Sequence, residues 1–145
     1  MDSTIVESVD DVGRWEVALA AYKDTFSCLA SGSRIALVAE AALSDAGRVG
    51  SNMLVWHATD QGLRVEAGKF PGFEETDVDI LMVADDAALA SMNASLEADV
   101  LQTVRRLIRE GKILFFARKT RRDLDHAGYE DLLDQLGFAF MGACR

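Results

Sequence analysis

The sequence predicts an α+β domain, an antiparallel or mixed sheet of about five strands covered by helices, and three observations carry that prediction. A helix-periodic stretch lies near the start, a two-armed hairpin pattern occupies the middle, and two amphipathic helices separate the hairpin from a later apolar run. Strands joined by short turns and flanked by helices specify a layered fold in which the sheet buries one face against the helices.

The helix-periodic stretch follows Ser8. Val12, Trp15, Leu19, Tyr22, Phe26 and Leu29 recur at intervals of three and four, which puts them on one face of a helix predicted over residues 9–30. Ser31-Gly32 is its expected stop, since glycine adopts the left-handed conformation that ends helices. The seam is shorter than the three or four heptads of a coiled coil, so it predicts core packing ahead of a zipper between two copies.

Arg34 to Glu40 reads as a strand, and the small, polar, glycine-bearing run from Ala41 to Ser51 as a loop. Met53–Ala58 and Leu63–Ala67 are β-like arms separated by Thr59-Asp60-Gln61-Gly62, whose Asp and Gly supply turn chemistry. In the second arm Leu63, Val65 and Ala67 alternate with Arg64 and Glu66, so one face should meet the core and the other water. After the irregular stretch around Pro71, Val78 to Val83 is predicted as a strand with Val78, Ile80 and Met82 inward and Asp79 outward.

Asp85 and Asp86 offer N-caps for a short helix through Leu89 and Met92. Ser95 is the expected cap of a second helix, with Leu96, Val100, Val104, Leu107 and Ile108 as its apolar stripe and Gly111 as its stop. Lys112 to Ala117 contains the continuous apolar run Ile113-Leu114-Phe115-Phe116 and is predicted as a buried strand. A basic loop follows, then a helix around Tyr129–Leu136, then the apolar tail Phe138–Met141. The whole is predicted as a single domain over 1–145: an N-terminal helix 9–30, sheet and helices 33–117, and a C-terminal helix and tail 124–145.

Charge narrows the function. Residues 1–100 carry 6 basic and 18 acidic side chains, a net −12, whereas residues 101–145 carry 9 and 6, a net +3, for −9 overall. So acidic a chain is repelled by nucleic acid, which removes that class of partner. No window approaches the roughly 20 apolar residues of a membrane span, and the first residues lack the pattern of an export signal. A cytoplasmic protein, neither exported nor integral to a membrane, is the expectation. Cys28 and Cys144 match no metal or redox spacing, and reduced thiols are expected.

Catalytic chemistry finds little material. Of the two histidines, His57 stands in a strand beside Trp56, and His126 follows Asp123 and Asp125 at a spacing that fits no metal site, with Arg121 and Arg122 opposing a cation. Gly47–Ser51 lacks the spacing and lysine of a phosphate loop. Glu74, Glu75, Asp77 and Asp79 read as solubilising carboxylates. The sequence therefore predicts no enzyme, no metal and no cofactor.

Three stretches resemble the sterol carrier protein family. Thr59–Gly68 is similar to its strand, glycine turn and strand; Glu75–Val83 with the Leu89 helix is similar to its aspartate, strand, polar cap and helix; Leu107-Ile108-Arg109-Glu110-Gly111-Lys112-Ile113 is similar to its entry into the last strand. The likeness covers about half the chain. It departs at Ala117-Arg118-Lys119, where the family has a glycine, and near Met92–Ser95, which lacks the family's glycine-containing spacer. The resemblance implies non-catalytic binding of an apolar small molecule, a fatty-acyl or other lipid-like ligand, in a cavity between sheet and helices. Leu89, Met92, Leu107, Phe115, Leu132, Leu136, Phe140 and Met141 would line or close that cavity. Arg118, Lys119, Arg121 and Arg122 would hold an anionic head group at its mouth.

Two other arrangements satisfy part of the pattern. In one, Ile35–Val38, Ile80–Val83 and Ile113–Phe116 are parallel strands of an open α/β sheet with a site near Asp85 and Asp86 at a strand's carboxyl end. In the other, the chain is a non-catalytic interaction module, a possible homodimer formed through the Trp15 helix or the apolar tail.

Overall fold

The computed structural model describes residues 12–40, 52–71 and 75–137. Five strands, β1 (Arg34–Ala39), β2 (Asn52–Thr59), β3 (Gly62–Lys69), β4 (Ile80–Ala84) and β5 (Ile113–Ala117), form one sheet in the order β3-β2-β1-β4-β5. Only β1 and β4 pair parallel; β1 with β2, β2 with β3 and β4 with β5 are antiparallel. The sheet is thus mixed and the fold α+β. The all-parallel arrangement fails at β5, because the short turn at Glu110-Gly111-Lys112 returns the chain from a helix alongside β4 in the opposite direction.

Six helices accompany the sheet among the described residues: α1 (Val12–Ala20), α2 (Lys23–Phe26), α3 (Asp86–Ala94), α4 (Val100–Arg109), α5 (Arg121–His126) and α6 (Glu130–Gln135). All six contribute side chains to one apolar cluster on a single face of the sheet. Trp15, Leu19, Phe26, Leu89, Leu101, Val104, Leu124 and Leu133 meet Ile35, Leu37, Leu54, Trp56, Ile80 and Met82 there. Each fully buried leucine or isoleucine contributes on the order of 2 kcal/mol. On the other face Ala36, Val38, Val55, Leu81 and Val83 form a smaller cluster with Phe70 and Val78.

The helix predicted over 9–30 is two helices. The chain breaks at Ala21-Tyr22, where Tyr22 leaves helical geometry (φ −109°, ψ 32°) and sends its phenol to Asp99 and to the amide of Leu101 at the start of α4. Its start at residues 9–11 lies outside the described residues, as do the loop 41–51, Phe138, Phe140, Met141 and Cys144.

The predicted hairpin forms with Thr59 opposite Gly62 and a tight turn at Asp60-Gln61. Gly62 takes φ +113°, a conformation that a side chain would strain, and the Thr59 hydroxyl donates to the Gly62 carbonyl at 2.7 Å.

Four expectations need correction. Val78 does not share a face with Ile80 and Met82: it packs in the opposite cluster with Leu81 and Val83, and both faces of β4, which lies between β1 and β5, are buried. Ser95 does not begin a helix: its hydroxyl donates back to Ser91 and Met92 at the end of α3, and Asp99 caps α4 instead. β5 is an edge strand rather than a buried one, with Leu114 45% exposed. The basic stretch after it is not a loop, because Thr120 accepts from the amide of Asp123 at 3.1 Å and caps α5.

Candidate functional site

The topology brings several features to one end of the sheet. β4 runs parallel to β1, and β2 and β5 run opposite to their neighbours, so the β2–β3 turn, the start of β1, the start of β4 and the end of β5 share that end. A polar cluster sits there. Asp79, just before β4, accepts from the Tyr129 phenol at 2.7 Å and from the Arg34 amide at 3.2 Å, while Lys119 Nζ stands 3.5 Å from its other oxygen. Its side chain is 19% exposed, so it does not face water as the alternation predicts: it anchors three segments. Burial, and then the hydrogen bond to Asp79, push the Tyr129 phenol well above the ordinary tyrosine range.

At the same end, between the helices and the hairpin, a cleft of about 500 Å³ opens. Leu19 and Ala20 of α1, Phe26 of α2 and Leu29 wall one side; Ala58 and Leu63 wall the other. Lys23, Ser27, Thr59, Asp60 and Gln61 rim it. The cleft lies against the break at Ala21-Tyr22, with Leu19 and Ala20 before it and Lys23 and Phe26 after it. Its volume falls within the range of small-molecule sites, about 300–1,000 Å³, and its apolar walls with a polar rim are the usual lining of such sites.

Two other hollows differ in character. One, of about 390 Å³, lies along the outer face of α4 among Gln102, Arg105, Arg106 and Arg109, with Arg106 paired to Glu110. The other, of about 620 Å³, runs between α1 and the α3–α4 connection over Val17, Ala18, Ala21 and Leu96, crossed by the Arg14–Glu97 ion pair at 3.0 Å.

The residues expected to form an apolar cavity are found together. Leu89, Met92, Leu107, Leu132 and Leu136 sit in the helix-side cluster at no more than 3% exposure, and partly buried Phe115 packs on it. None of them lines any of the three hollows. Phe140 and Met141 lie outside the described residues. Of the cationic set, Arg118 and Lys119 follow β5 and approach Asp79, the former through its amide at 2.8 Å from the Asp79 carbonyl, whereas Arg121 and Arg122 open α5 with exposed side chains. Arg118 and Lys119 share the cleft's end of the sheet but follow β5, three strands across from β2, roughly 14 Å at 4.8 Å per strand.

The cleft residues Leu19, Phe26 and Leu29 appear in the sequence only as core positions of one helical seam. Glycine-free Ala20-Ala21-Tyr22 gives no sign of the break that makes them walls.

Elsewhere His57 pairs with Glu66 at 3.2 Å on the sheet face opposite the helices. Asp123, Asp125 and His126 are exposed on α5, and among the described residues no group of three His, Cys, Asp or Glu side chains is arranged to hold a metal ion. Trp15 lies inside the chain at 1% exposure, so its ring is already occupied by the core. No helix among the described residues is long and apolar enough to cross a membrane.

No protein-family model and no curated protein matches the sequence. Solved structures do. The chain is similar to a structure described as "UbiJ-SCP2 Ubiquinone synthesis protein", at 16% identity over 89% of this chain and 92% of the other, with a TM-score of 0.46. It is also similar to a conserved hypothetical protein of Thermus thermophilus described as possibly a sterol carrier protein, at 17% identity over 94% of this chain and 85% of that one, with a TM-score of 0.42.

Proposed function

We propose that this chain is a non-catalytic binder of an apolar small molecule, held between α1, α2 and the β2–β3 hairpin. The observation that carries the proposal is the 500 Å³ cleft with Leu19, Phe26, Leu29, Ala58 and Leu63 as walls. Removing the surface of a hydrocarbon ligand from water there supplies about 25 cal/mol per Å² of apolar area, and among the residues lining it no nucleophile is paired with a base. The site lies between sheet and helices, as the sequence motifs imply, but at the hairpin rather than beside Phe115. The leucines expected to line a cavity beside Phe115 are buried together in the helix-side cluster, and none of them lines this cleft. The basic segment at Arg118–Arg122 gives the same end of an otherwise acidic molecule a positive side, suited to drawing the protein toward anionic surfaces that hold such ligands.

Native mass spectrometry of freshly purified protein tests the reading, together with thermal shift on adding medium- and long-chain acyl compounds. The expected result is a co-purified apolar ligand or a saturable rise in Tm, both lost in Leu63→Glu, which places a carboxylate in the wall. A clean unliganded mass with no shift for any acyl compound overturns it.

A further inference from the structure

Beneath the cleft lies a buried donor with nothing to bond. Trp56 is 1% exposed, and its indole Nε1 is a buried side-chain polar atom with no hydrogen-bond partner among the described residues. An indole nitrogen donates and cannot accept, so only an oxygen or another acceptor satisfies it. Among the described residues its surroundings provide none. Across the sheet it faces Ile35 and Val65, along its own strand Leu54 and Ala58, and above it the rings of Trp15 and Phe26, with centroids 5.7 and 6.0 Å away. A donor left bare in such a place carries the full loss of its hydration, and buried groups of this kind are rare enough to require an explanation.

Phe26 connects this donor to the cleft. It lines the cleft wall and meets the Trp56 ring edge to face at 87°. Ala58, the next residue on the same face of β2, lines the cleft too. Phe26 thus stands between the ligand space and the Trp56 ring.

We infer that the cleft selects apolar ligands bearing a neutral oxygen acceptor, a ketone, ester or hydroxyl, which reaches past Phe26 and accepts from Trp56 Nε1. This rests on the proposed carrier function and adds the class of ligand. Neutrality follows from the surroundings: a carboxylate carried in among two tryptophans and a phenylalanine would lose its hydration with no cation beside it. Lys23 lines the cleft only at its rim, and Arg118 and Lys119 follow β5, three strands away from β2.

The test compares ligands of equal length, dodecane, 2-dodecanone and dodecanoate, binding to the full chain, read by tryptophan emission and calorimetry. The ketone is expected to bind about tenfold more tightly than the alkane and more tightly than the acid, and Trp56→Phe to close the gap between ketone and alkane. Should that variant fold poorly, the indole N–H proton of Trp56 in the wild-type chain gives an independent measure: the ketone moves it downfield and the alkane does not. Equal affinity for ketone and alkane, a gap that survives in Trp56→Phe, or tighter binding of the acid overturns this inference alone. An N–H that merely points at the ring of Phe26 gives the first of those results. Failure of all three compounds to bind overturns the carrier reading and this inference with it.

Discussion

The phenol of Tyr129 donates to Asp79 Oδ2 at 2.7 Å, joining the segment before α6 to the residue just before β4. The same carboxylate accepts from the Arg34 amide, so one side chain fixes how β1, β4 and the C-terminal helices meet. Tyr129→Phe keeps the ring and removes the hydroxyl. It is expected to lower stability by about 1 kcal/mol, the usual worth of such a bond when the acceptor keeps other partners, measurable as a fall in the urea midpoint.

The pH dependence of that bond has a definite sign. The phenol is held protonated above its ordinary range, first by burial and then by Asp79, so the folded state retains a proton that the unfolded chain gives up near pH 10. The contribution is fully present below about pH 10 and is lost as pH rises beyond it. Denaturation curves should therefore show wild-type stability falling above pH 10 and a shallower fall in Tyr129→Phe.

Glu16 on α1 reaches over the outer edge of the sheet, accepting from the amide of Val65 and from Arg64 Nε, both at 3.0 Å. The amide bond and the arginine hold its carboxyl below the usual glutamate range. A lowered pKa stabilises the fold above the unfolded value of about 4.3 and stops doing so as pH falls through the folded one. Glu16→Gln is expected to reduce Tm by a few degrees at neutral pH, with the difference vanishing as the pH drops below 4. Glu16→Ala, which removes the acceptor and bares the Val65 amide of edge strand β3, should also raise its tendency to pair with other chains, read by light scattering on heating.

Gly128 has φ +85°, and a Cβ placed there would lie 1.8 Å from the Cys28 carbonyl oxygen. Gly128→Ala is expected to destabilise the chain by at least about 3 kcal/mol, since neither backbone can yield without moving a helix. Gly62→Ala, with comparable backbone strain but open space around it, should cost only about 1 kcal/mol. Circular dichroism melts of the two variants give the comparison.

The Cys28 thiol is exposed and donates to Asp131 Oδ2 at 3.3 Å, a bond that raises its pKa. Alkylation by iodoacetamide at neutral pH should be slower than for a free thiol, and Asp131→Asn should speed it several-fold.

The sequence made some of this architecture legible and hid the rest for identifiable reasons. The hairpin could be read because Thr59-Asp60-Gln61-Gly62 carries its own turn chemistry between alternating arms, and α4 because its stripe has helical spacing throughout. Asp79 could not, since period-two alternation assigns a side to a residue but is silent about a tyrosine fifty positions later. Thr120-Arg121-Arg122-Asp123 does contain the signature of a capped helix start, masked by its charge. The predicted interior leucines do assemble in one buried cluster; the cleft lies at a break in the first helical seam, which apolar spacing alone does not register. Trp56 lies in plain view, but its unpaired nitrogen follows from which side chains surround it.

The contact between Gly128 and Cys28 also bears on how the protein is made. There the Ala30 amide donates to the Ala127 carbonyl at 2.8 Å, and this closure joins points about a hundred residues apart, the kind of long-range pairing that slows folding. At ordinary translation speeds the first two helices wait on the order of ten seconds for their partner to be synthesised. During that interval their aromatic faces are open to whatever holds nascent chains, so the emerging polypeptide should depend on a chaperone more than the finished one does.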